Sequence, residues 1–223
     1  MPAGARFDGL AEYYEEALGP FVLSTAPVVG QLLGSGDGSC VDLGCGVGLL
    51  ISTVEHLGWK VIGVDLSRDQ LRRAGTRAGV QRRLVCADVH ELPFPQKSMD
   101  AVLCTFVHTD VEDYSAAVHE ACRVLRPGGR FVHIGLHPCF VGPFSRYRGP
   151  EEAPELFRGY RETEWTDDAP GFGVGLRRRV GSRHVPLAGL MNAIAENGLK
   201  VVRVEEPPGY EFPRVLAMAA IKD

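Results

Sequence analysis

The apolar residues between positions 39 and 136 follow two alternating patterns. Short, almost wholly apolar runs predict buried β-strands, and longer runs with apolar residues three or four positions apart predict helices between them. The strands are predicted over residues 39–43, 60–65, 83–86, 101–106 and 130–136, and the helices over residues 48–57, 67–78 and 111–125. Because each helix returns the chain to the same edge, such strands pair in parallel. The pattern predicts an α/β fold with helices on both faces of the sheet.

Further elements are predicted on either side of this region. Before it, the spacing of apolar residues predicts helices over residues 7–18 and 21–33, which a glycine-rich loop follows. After it, a helix is predicted over residues 187–197, and strands are predicted over residues 199–205 and 214–221. These two strands bring the predicted sheet to seven.

The segment between the predicted fifth strand and the last helix has no regular pattern. Residues 137–185, called the cap below, are rich in proline, glycine, arginine and acidic residues, and they also contain aromatic side chains. The aromatic residues are Phe140, Phe144, Tyr147, Phe157, Tyr160, Trp165 and Phe172. This content is too aromatic for a disordered linker and too irregular for a sheet. We expect the cap to cover a substrate site and to favour a partly aromatic or apolar substrate.

The length and composition fit one domain with appendages. A chain of 223 residues with 45% hydrophobic residues is long enough for one sizeable core and short for two. We expect an N-terminal helical lid over residues 1–37 and a cofactor-binding core over residues 38–136. The cap and a C-terminal helix with two strands, over residues 186–223, complete the predicted domain.

Charge and cysteine content narrow the class of protein. The formal net charge of −4 disfavours nucleic acid as a partner. The six cysteines are scattered singly, and neither they nor the histidines have the spacing of a metal site, so no metal is expected. No apolar run is long enough to span a membrane and the first residues do not resemble a signal peptide, so we expect a cytoplasmic protein.

A glycine-rich loop follows the first strand of the parallel region. The strand ends near Asp42, and Gly44, Gly46 and Gly48 come next. Glycine suits a backbone that approaches a ligand closely, because any Cβ would obstruct the approach. The spacing is GxGxG and not the GxGxxG of dinucleotide-binding proteins. On its own, the loop fits either a nucleotide site or a structural tight turn.

Asp65 ends the second strand, 23 residues beyond Asp42. A carboxylate at this place can accept hydrogen bonds from both hydroxyls of a ribose. The structural alternative is a helix cap, but Ser67 already offers that role. Together, the loop and Asp65 indicate a cofactor that contains adenosine.

Four segments resemble class I S-adenosylmethionine-dependent methyltransferases, and most of all their type 11 branch, which acts on small molecules. They are the glycine loop, the acidic end of the second strand, the loop after the third strand and the turn before the fifth. In this order they cover residues 41–48, 61–67, 86–94 and 123–129. The resemblance implies a Rossmann-like methyltransferase fold with a seven-stranded, mostly parallel sheet whose last strand is antiparallel.

The resemblance also implies roles around S-adenosylmethionine and its product S-adenosylhomocysteine. Asp88 would accept a hydrogen bond from the adenine amino group, and Asp42 would lie near the methionine ammonium. A carboxylate at Asp42 suits a cationic sulfonium and disfavours the phosphates of NAD. The N-terminal helix would close over the cofactor, and since its spacing turns Tyr14 towards the core, Tyr13 is the candidate there. The predicted cofactor-binding residues are Asp42, Gly44, Cys45, Gly46, Gly48, Asp65, Leu66, Asp88, Val89, Phe106 and Tyr13.

Two histidines are candidates for the reacting end of the site. Ligands of open α/β sheets bind beyond the carboxyl ends of the strands, where His108 and His137 are found. Methyl transfer needs a positioned acceptor above all, and a general base only if the acceptor atom carries a proton. His137 is the preferred base because imidazole titrates near neutrality. The alternatives are a structural hydrogen bond for His137 and a plain loop position for His108.

The predicted function is methylation of an oxygen, nitrogen or carbon atom of a small metabolite by a monomer or homodimer. The basic run Arg177-Arg178-Arg179 is interpreted as a solvated face rather than a site for an acidic acceptor. No Asn-Pro-Pro-Tyr sequence follows the fourth strand, which by resemblance argues against methylation of DNA bases. The alternative function is a non-catalytic, regulatory protein that binds S-adenosylmethionine or S-adenosylhomocysteine.

Overall fold

A seven-stranded sheet forms the centre of the protein, which is described by a computed structural model over residues 5–77, 83–172 and 175–223. In chain order the strands are β1 (Ser39–Leu43), β2 (Lys60–Asp65), β3 (Leu84–Cys86), β4 (Met99–Thr105), β5 (Leu125–Leu136), β6 (Ser145–Arg146), β7 (Glu155–Leu156), β8 (Leu199–Glu205) and β9 (Val215–Lys222). The sheet has the order β3-β2-β1-β4-β5-β9-β8, and β6 pairs with β7 apart from it. Strands β1 to β5 are parallel, and β9 is antiparallel to both of its neighbours. The predicted fold is confirmed.

Helices cover both faces of this sheet. In chain order they are α1 (Ala11–Leu23), α2 (Ala26–Leu33), α3 (Ile51–His56), α4 (Arg68–Ala74), α5 (Tyr114–Val124), α6 (Leu176–Val180) and α7 (Leu187–Ala195). Helices α2 and α3 contribute to the apolar cluster on one face, and α5 and α7 contribute to the cluster on the other. Consecutive strand residues alternate between the clusters: Val41 and Val102 belong to one, and Cys40 and Leu103 to the other. Since both faces are covered, both sets of strand residues are apolar.

The break between the first two helices lies later than predicted. Helix α1 continues through Pro20 to Leu23, and α2 begins at Ala26. The reason is Pro27 in the first turn of α2. In a continuous helix, its ring would clash with the carbonyl of Leu23, four positions earlier. At the start of a new helix, the missing N–H of proline costs no hydrogen bond.

No single described helix is long and apolar enough to cross a membrane. Helices α1 and α2 meet such a criterion only as a pair, and they are bent by 55° at their break. In α2, Val28, Val29, Leu32 and Leu33 are buried in the core. The apolar residues of this helix are thus accounted for by packing against the sheet.

Several predicted boundaries shift for local reasons. Helix α5 begins at Tyr114 because the Asp113 carboxylate accepts a hydrogen bond from the Ala116 N–H and caps the helix there. The predicted helix over residues 67–78 ends at Ala74, and its predicted last residue, Ala78, lies outside the described residues. The turn at residues 126–129 interrupts the pairing of β5 with β4, since Leu125 is opposite Met99 and Arg130 is opposite Ala101. The proposed divisions at residues 37, 136 and 185 stay predictions.

Candidate active site

A cavity of about 290 Å³ opens beyond the carboxyl ends of β1, β2 and β4. Its walls come from the loops that follow these strands, from the loop after β3 and from residues 5–10, called the N-terminal segment below. All of the described residues that line it lie between positions 5 and 112. The parallel sheet therefore brings together seven of the predicted cofactor-binding residues from separate loops: Gly44, Gly46, Asp65, Leu66, Asp88, Val89 and Phe106. Cys45 lines only a second, smaller cavity nearby, and Gly48 lines neither cavity.

The glycine loop after β1 adopts the tight turn predicted for it. Gly44 has a φ of +66°, and a Cβ there would lie 2.6 Å from Cγ2 of Val107. Gly46 has a φ of +52°, and its N–H points towards the end of β2. A side chain at Gly44 would collide with the opposite wall, so the loop needs glycine for space as well as for conformation.

The carboxylate of Asp65 is fixed at the end of β2. Its Oδ2 accepts a hydrogen bond from the Gly46 N–H at 2.9 Å, and its Oδ1 accepts one from the Ser67 N–H at 2.8 Å. Ser67 caps α4 by accepting a hydrogen bond from the Gln70 N–H, so Asp65 is free of that role. A carboxylate has about four acceptor positions, so roughly two remain for a ligand. Burial raises the pKa of Asp65 above its usual value, and these N–H donors oppose that rise.

Asp42 lies deeper than Asp65, at 3% exposure, and lines a second, smaller cavity of about 20 Å³. Burial raises the pKa of Asp42 to about 7, and the nearby charge of Asp65 adds to the effect. Near neutrality, such a group gains strongly from a cationic ligand, because the ligand replaces the solvation that the carboxylate has lost. The predicted contact with an ammonium is consistent with this environment.

The loop after β3 brings Asp88 and Val89 to the cavity wall. The Oδ1 of Asp88 accepts hydrogen bonds from the backbone N–H of His90 at 2.9 Å and from its ring Nδ1 at 2.6 Å. Both bonds fall on Oδ1, which leaves Oδ2 for a ligand. Leu66 and Phe106, two further predicted contacts, also line the cavity.

The N-terminal segment lies across the cavity. Phe7 lines it, and Arg6 forms an ion pair with Glu112 while its guanidinium lies 3.5 Å from the centre of the Trp165 ring. Tyr14 lines both cavities, whereas Tyr13 lines neither and packs under Arg179. The choice of Tyr13 over Tyr14 therefore finds no support in the structure, because the face of α1 that turns towards the core also borders the cavity.

Comparison with known proteins agrees with this arrangement. Residues 41–133 match the family described as methyltransferase domain. An S-adenosylmethionine-dependent methyltransferase from Mesorhizobium loti has a similar structure, with a TM-score of 0.73 and 25% identity over 88% of this chain and 96% of that one. Residues 41–133 thus resemble the methyltransferase domain family, and the fold is that of S-adenosylmethionine-dependent methyltransferases.

Curated relatives resemble this chain over a shorter region. A demethylmenaquinone methyltransferase of Tropheryma whipplei (strain Twist) is 39% identical over 112 residues, which are 48% of this chain and 46% of the relative. A demethylmenaquinone methyltransferase of Oceanobacillus iheyensis is 30% identical over 145 residues, 59% of this chain and 61% of the relative. The chain spans about half the length of the curated relatives it matches.

S-adenosylmethionine is the cofactor that these similarities imply, and the described residues of this chain fit it. Oε1 of Gln70 and Oγ1 of Thr105 are buried without hydrogen-bond partners, and both residues line the cavity. Unpartnered buried polar atoms are rare in folded proteins, so their presence here indicates a polar ligand. Phe106, between the two cavities, has a φ of +59°, a backbone strain that is typical of functional sites.

The two candidate bases, His108 and His137, lie outside the cavity wall. His137 is 5% exposed, its Nε2 donates to Oε1 of Glu206 at 2.9 Å, and its Nδ1 accepts from the Cys139 N–H at 3.2 Å. His108 is 2% exposed and packs against His133, with ring centres 5.1 Å apart. Burial holds the pKa of His108 well below its usual value. The structure brings neither histidine to the walls that hold Asp65 and Asp88.

The cap contributes no described residue to the cavity wall. Its aromatic residues mostly contact one another and neighbouring elements: Phe144 packs on Tyr160, and Phe140 packs on Phe212. Arg177, expected on a solvated face, instead forms an ion pair with Asp110, which lines the cavity. This pairing joins the cap to the loop after β4.

Sequence reasoning missed several residues of the wall, among them Arg6, Gln70 and His90, whereas Asp110 lies in the segment after the fourth strand that was expected to border the ligand. A signal existed for His90, which lies two positions after Asp88 within a segment that was already assigned. Arg6 and Gln70 had no signal, because their places depend on the path of the N-terminal segment and on contacts across the fold.

Proposed function

We propose that this protein transfers the methyl group of S-adenosylmethionine to an oxygen, nitrogen or carbon atom of a small molecule. The observation that carries the proposal is the arrangement of three carboxylates around the two cavities. Asp65 suits the ribose hydroxyls, Asp88 the adenine amino group and Asp42 the methionine ammonium. The bound cofactor supplies an electrophilic methyl group on a cationic sulfur.

The residues of the chain have three tasks in such a reaction. Asp65 and Asp88 orient the adenosine. The backbone of the glycine loop can approach the cofactor closely because no Cβ lies between them. The N-terminal segment and Tyr14 exclude water from the cavity, which matters because water competes with the acceptor for the methyl group. Holding the acceptor in line with the sulfur and the methyl carbon supplies most of the remaining acceleration.

The charges on the wall support an acceptor without a negative charge. Among the described lining residues, Arg6 is the only arginine or lysine, and it is already paired with Glu112. The carboxylates of Asp65 and Asp88 line the same cavity, and Asp110, also in its lining, is paired with Arg177, so an anionic acceptor would meet carboxylates without an unpaired cationic side chain among the described lining residues. A neutral or cationic small molecule is therefore the proposed substrate class.

The remaining expectations from the sequence stay predictions. His108 and His137 lie outside the wall, and a catalytic role for either stays a prediction. A cytoplasmic location, a monomeric or homodimeric state and the lack of a nucleic-acid partner also await measurement. The short stretch shared with the curated relatives does not assign their acceptor to this chain.

Cofactor binding is tested by calorimetry with S-adenosylhomocysteine. Wild-type protein is expected to bind it, and Asp65→Ala to bind it about 10- to 100-fold more weakly, as for the loss of hydrogen bonds to a charged group. Asp37→Ala, a change at an exposed aspartate in the loop before β1, is the matched control and should bind as wild type does. Equal affinities for all three proteins would contradict the proposed site.

Methyl transfer is tested with cofactor labelled in the methyl group and a metabolite extract. Label is expected in small molecules that pass through an anion-exchange column. Label retained on the column would contradict the proposed charge of the acceptor. Firm binding of the cofactor without any transferred label would favour the regulatory alternative.

A further inference from the structure

His90 contacts the carboxylate of Asp88, the residue proposed to bind adenine, through both its ring and its backbone. Its ring Nδ1 lies 2.6 Å from Oδ1 of Asp88, and its own backbone N–H donates to the same oxygen. The ring is more buried than the carboxylate it holds, with side-chain exposures of 28% for His90 and 46% for Asp88. A carboxylate with so much exposure would otherwise sample several rotamers.

The other ring nitrogen of His90 reaches a different element. Its Nε2 lies 2.9 Å from the backbone carbonyl oxygen of Asp113, the residue that caps α5. That carbonyl also accepts the Ala117 N–H of the first helical turn, so it is fixed in place. Val111 and Glu112, immediately before it, line the cavity. His90 therefore ties the wall that holds Asp88 to the wall that follows β4.

The donor and acceptor count gives the ring a definite role. Both ring nitrogens face acceptor oxygens, and both contacts are hydrogen bonds only when the ring carries two protons. The carboxylate is the stronger acceptor, so the bond from Nδ1 to Asp88 is the dominant one. It occupies Oδ1 and leaves Oδ2 available to a ligand.

We propose that His90 is a positioning residue for recognition of the adenine amino group, acting through Asp88. This inference rests on the proposed function, because it assumes that the adenine of S-adenosylmethionine lies against Asp88. It assigns to His90 a contribution to selectivity for the amino group and not merely to the strength of binding. A purely structural histidine would affect all ligands of the cavity alike.

The test compares S-adenosylhomocysteine with S-inosylhomocysteine, in which an oxo group replaces the adenine amino group. Wild type is expected to prefer S-adenosylhomocysteine by about tenfold or more, as for one hydrogen bond to a charged group. In His90→Ala the affinity for S-adenosylhomocysteine should fall about fivefold or more while the affinity for S-inosylhomocysteine stays, because only the former uses the oriented carboxylate.

Two isosteric variants separate the two ring nitrogens. The amide of His90→Asn occupies a position close to Nδ1 and should restore the preference, whereas the amide of His90→Gln extends towards Nε2 and should not. His56→Ala, at an exposed histidine of α3, is the control and should keep the wild-type preference. Melting temperatures of all variants show that each is folded.

The outcomes separate this inference from the proposed function. If wild type binds neither ligand, the proposed function fails. If wild type prefers S-adenosylhomocysteine and His90→Ala keeps that preference, or weakens both ligands by the same factor, the positioning role is overturned and cofactor binding stands. Loss of the preference in His90→Ala and its return in His90→Asn support the role.

Discussion

At the scale of single residues, the most consequential group is the buried carboxylate of Asp42. Its pKa of about 7 means that near neutrality it exchanges between a protonated and an ionised form. The ionised form is the one that attracts an ammonium, but it is also the form that burial disfavours. The site thus carries a group that lowers the stability of the free protein in exchange for attraction to a cationic ligand.

Asp42→Asn is expected to separate these two effects. Wild-type affinity for S-adenosylhomocysteine should fall by about tenfold per pH unit below pH 7, because binding then requires loss of a proton. The variant should bind about tenfold or more weakly at pH 8 and lack this dependence. Calorimetry at pH 6 and pH 8 measures both.

The stability of the same variant should change in the opposite direction. The folded pKa lies above the unfolded value of 3.8, so the folded state of wild type loses stability as pH rises from about 4 to 7. At pH 8 the neutral side chain of Asp42→Asn removes this loss and should raise the melting temperature. A lower melting temperature at pH 8 would show that the charge is better solvated than its burial indicates.

Residues differ in how far the sequence predicts them. Gly44 was predictable from the glycine spacing after the first strand, and Asp65 was predictable because it ends the second strand. The periodicity of α1 predicted that Tyr14 faces inwards, but Tyr14 lines the cavity that was expected beside Tyr13. Periodicity shows which residues face inwards and not whether core or cavity lies there. Arg177 depended on a partner 67 positions away, which no local pattern reveals.

At the scale of elements, Ser67 joins the start of α4 to the N-terminal segment. Its hydroxyl oxygen accepts from the Gln70 N–H at 3.2 Å, and its O–H donates to Oδ1 of Asp8 at 2.6 Å. Gln70, one turn further, donates to the carbonyl of Phe7 at 3.5 Å. The same turn that carries the ribose-side carboxylate thus also holds the segment that crosses the cavity.

Ser67→Ala should destabilise the protein by about 1 kcal/mol through loss of the helix cap. For a chain of this size, that lowers the melting temperature by about 2–4 °C. Ser67→Thr keeps both the acceptor and the donor, so it is the matched control and should melt close to wild type. Identical melting of the alanine variant and wild type, measured by calorimetry, would rule out a contribution of the cap.

At the scale of the whole molecule, three buried histidines lie where the sheet meets the cap. His108 follows β4, His133 is in β5 and His184 belongs to the cap, and each has one ring nitrogen without a hydrogen-bond partner. Burial lowers the pKa of His133 to about 3 and that of His184 to about 4, and it also lowers the pKa of His108. All three are neutral in the folded protein.

Acid is therefore expected to unfold this protein through these side chains. An unfolded histidine gains a proton below about pH 6.5, whereas the folded one does not until its own lower pKa, so stability falls as pH drops through that window. Within that window, each such histidine lowers the free energy of unfolding by about 1.4 kcal/mol for each pH unit that the pH falls. His133→Asn, which keeps an acceptor for the Tyr114 hydroxyl, should show a shallower loss of melting temperature between pH 6.5 and 4.

The exposed His56 supplies the comparison for this experiment. His56→Asn should leave the slope of melting temperature against pH unchanged, because its ring lies at the surface of α3. Parallel curves for wild type and His133→Asn would show that another group controls the acid transition. His133→Asn is expected to melt at a lower temperature than wild type at pH 8, because a smaller side chain leaves space in the core. The test therefore compares the slopes of melting temperature against pH and not the melting temperatures themselves.

The alternation of apolar runs predicted the sheet and its helices, because strands buried on both faces leave a continuous apolar record. It did not predict the arrangement of the cap, whose short pieces are held by contacts such as Arg177 with Asp110 and Arg6 with Trp165. Such contacts join distant residues without any periodic pattern. The aromatic residues of the cap were expected to contact the substrate, but their rings pack on one another and on neighbouring elements, which the sequence pattern does not show.

All described residues of the cavity wall come from positions 5 to 112, and none from the cap. Substitutions in the cap that spare Arg177 and Trp165, which contact Asp110 and Arg6 of the wall, are therefore expected to leave cofactor binding unchanged, so the acceptor preference of the protein can be altered separately from its cofactor.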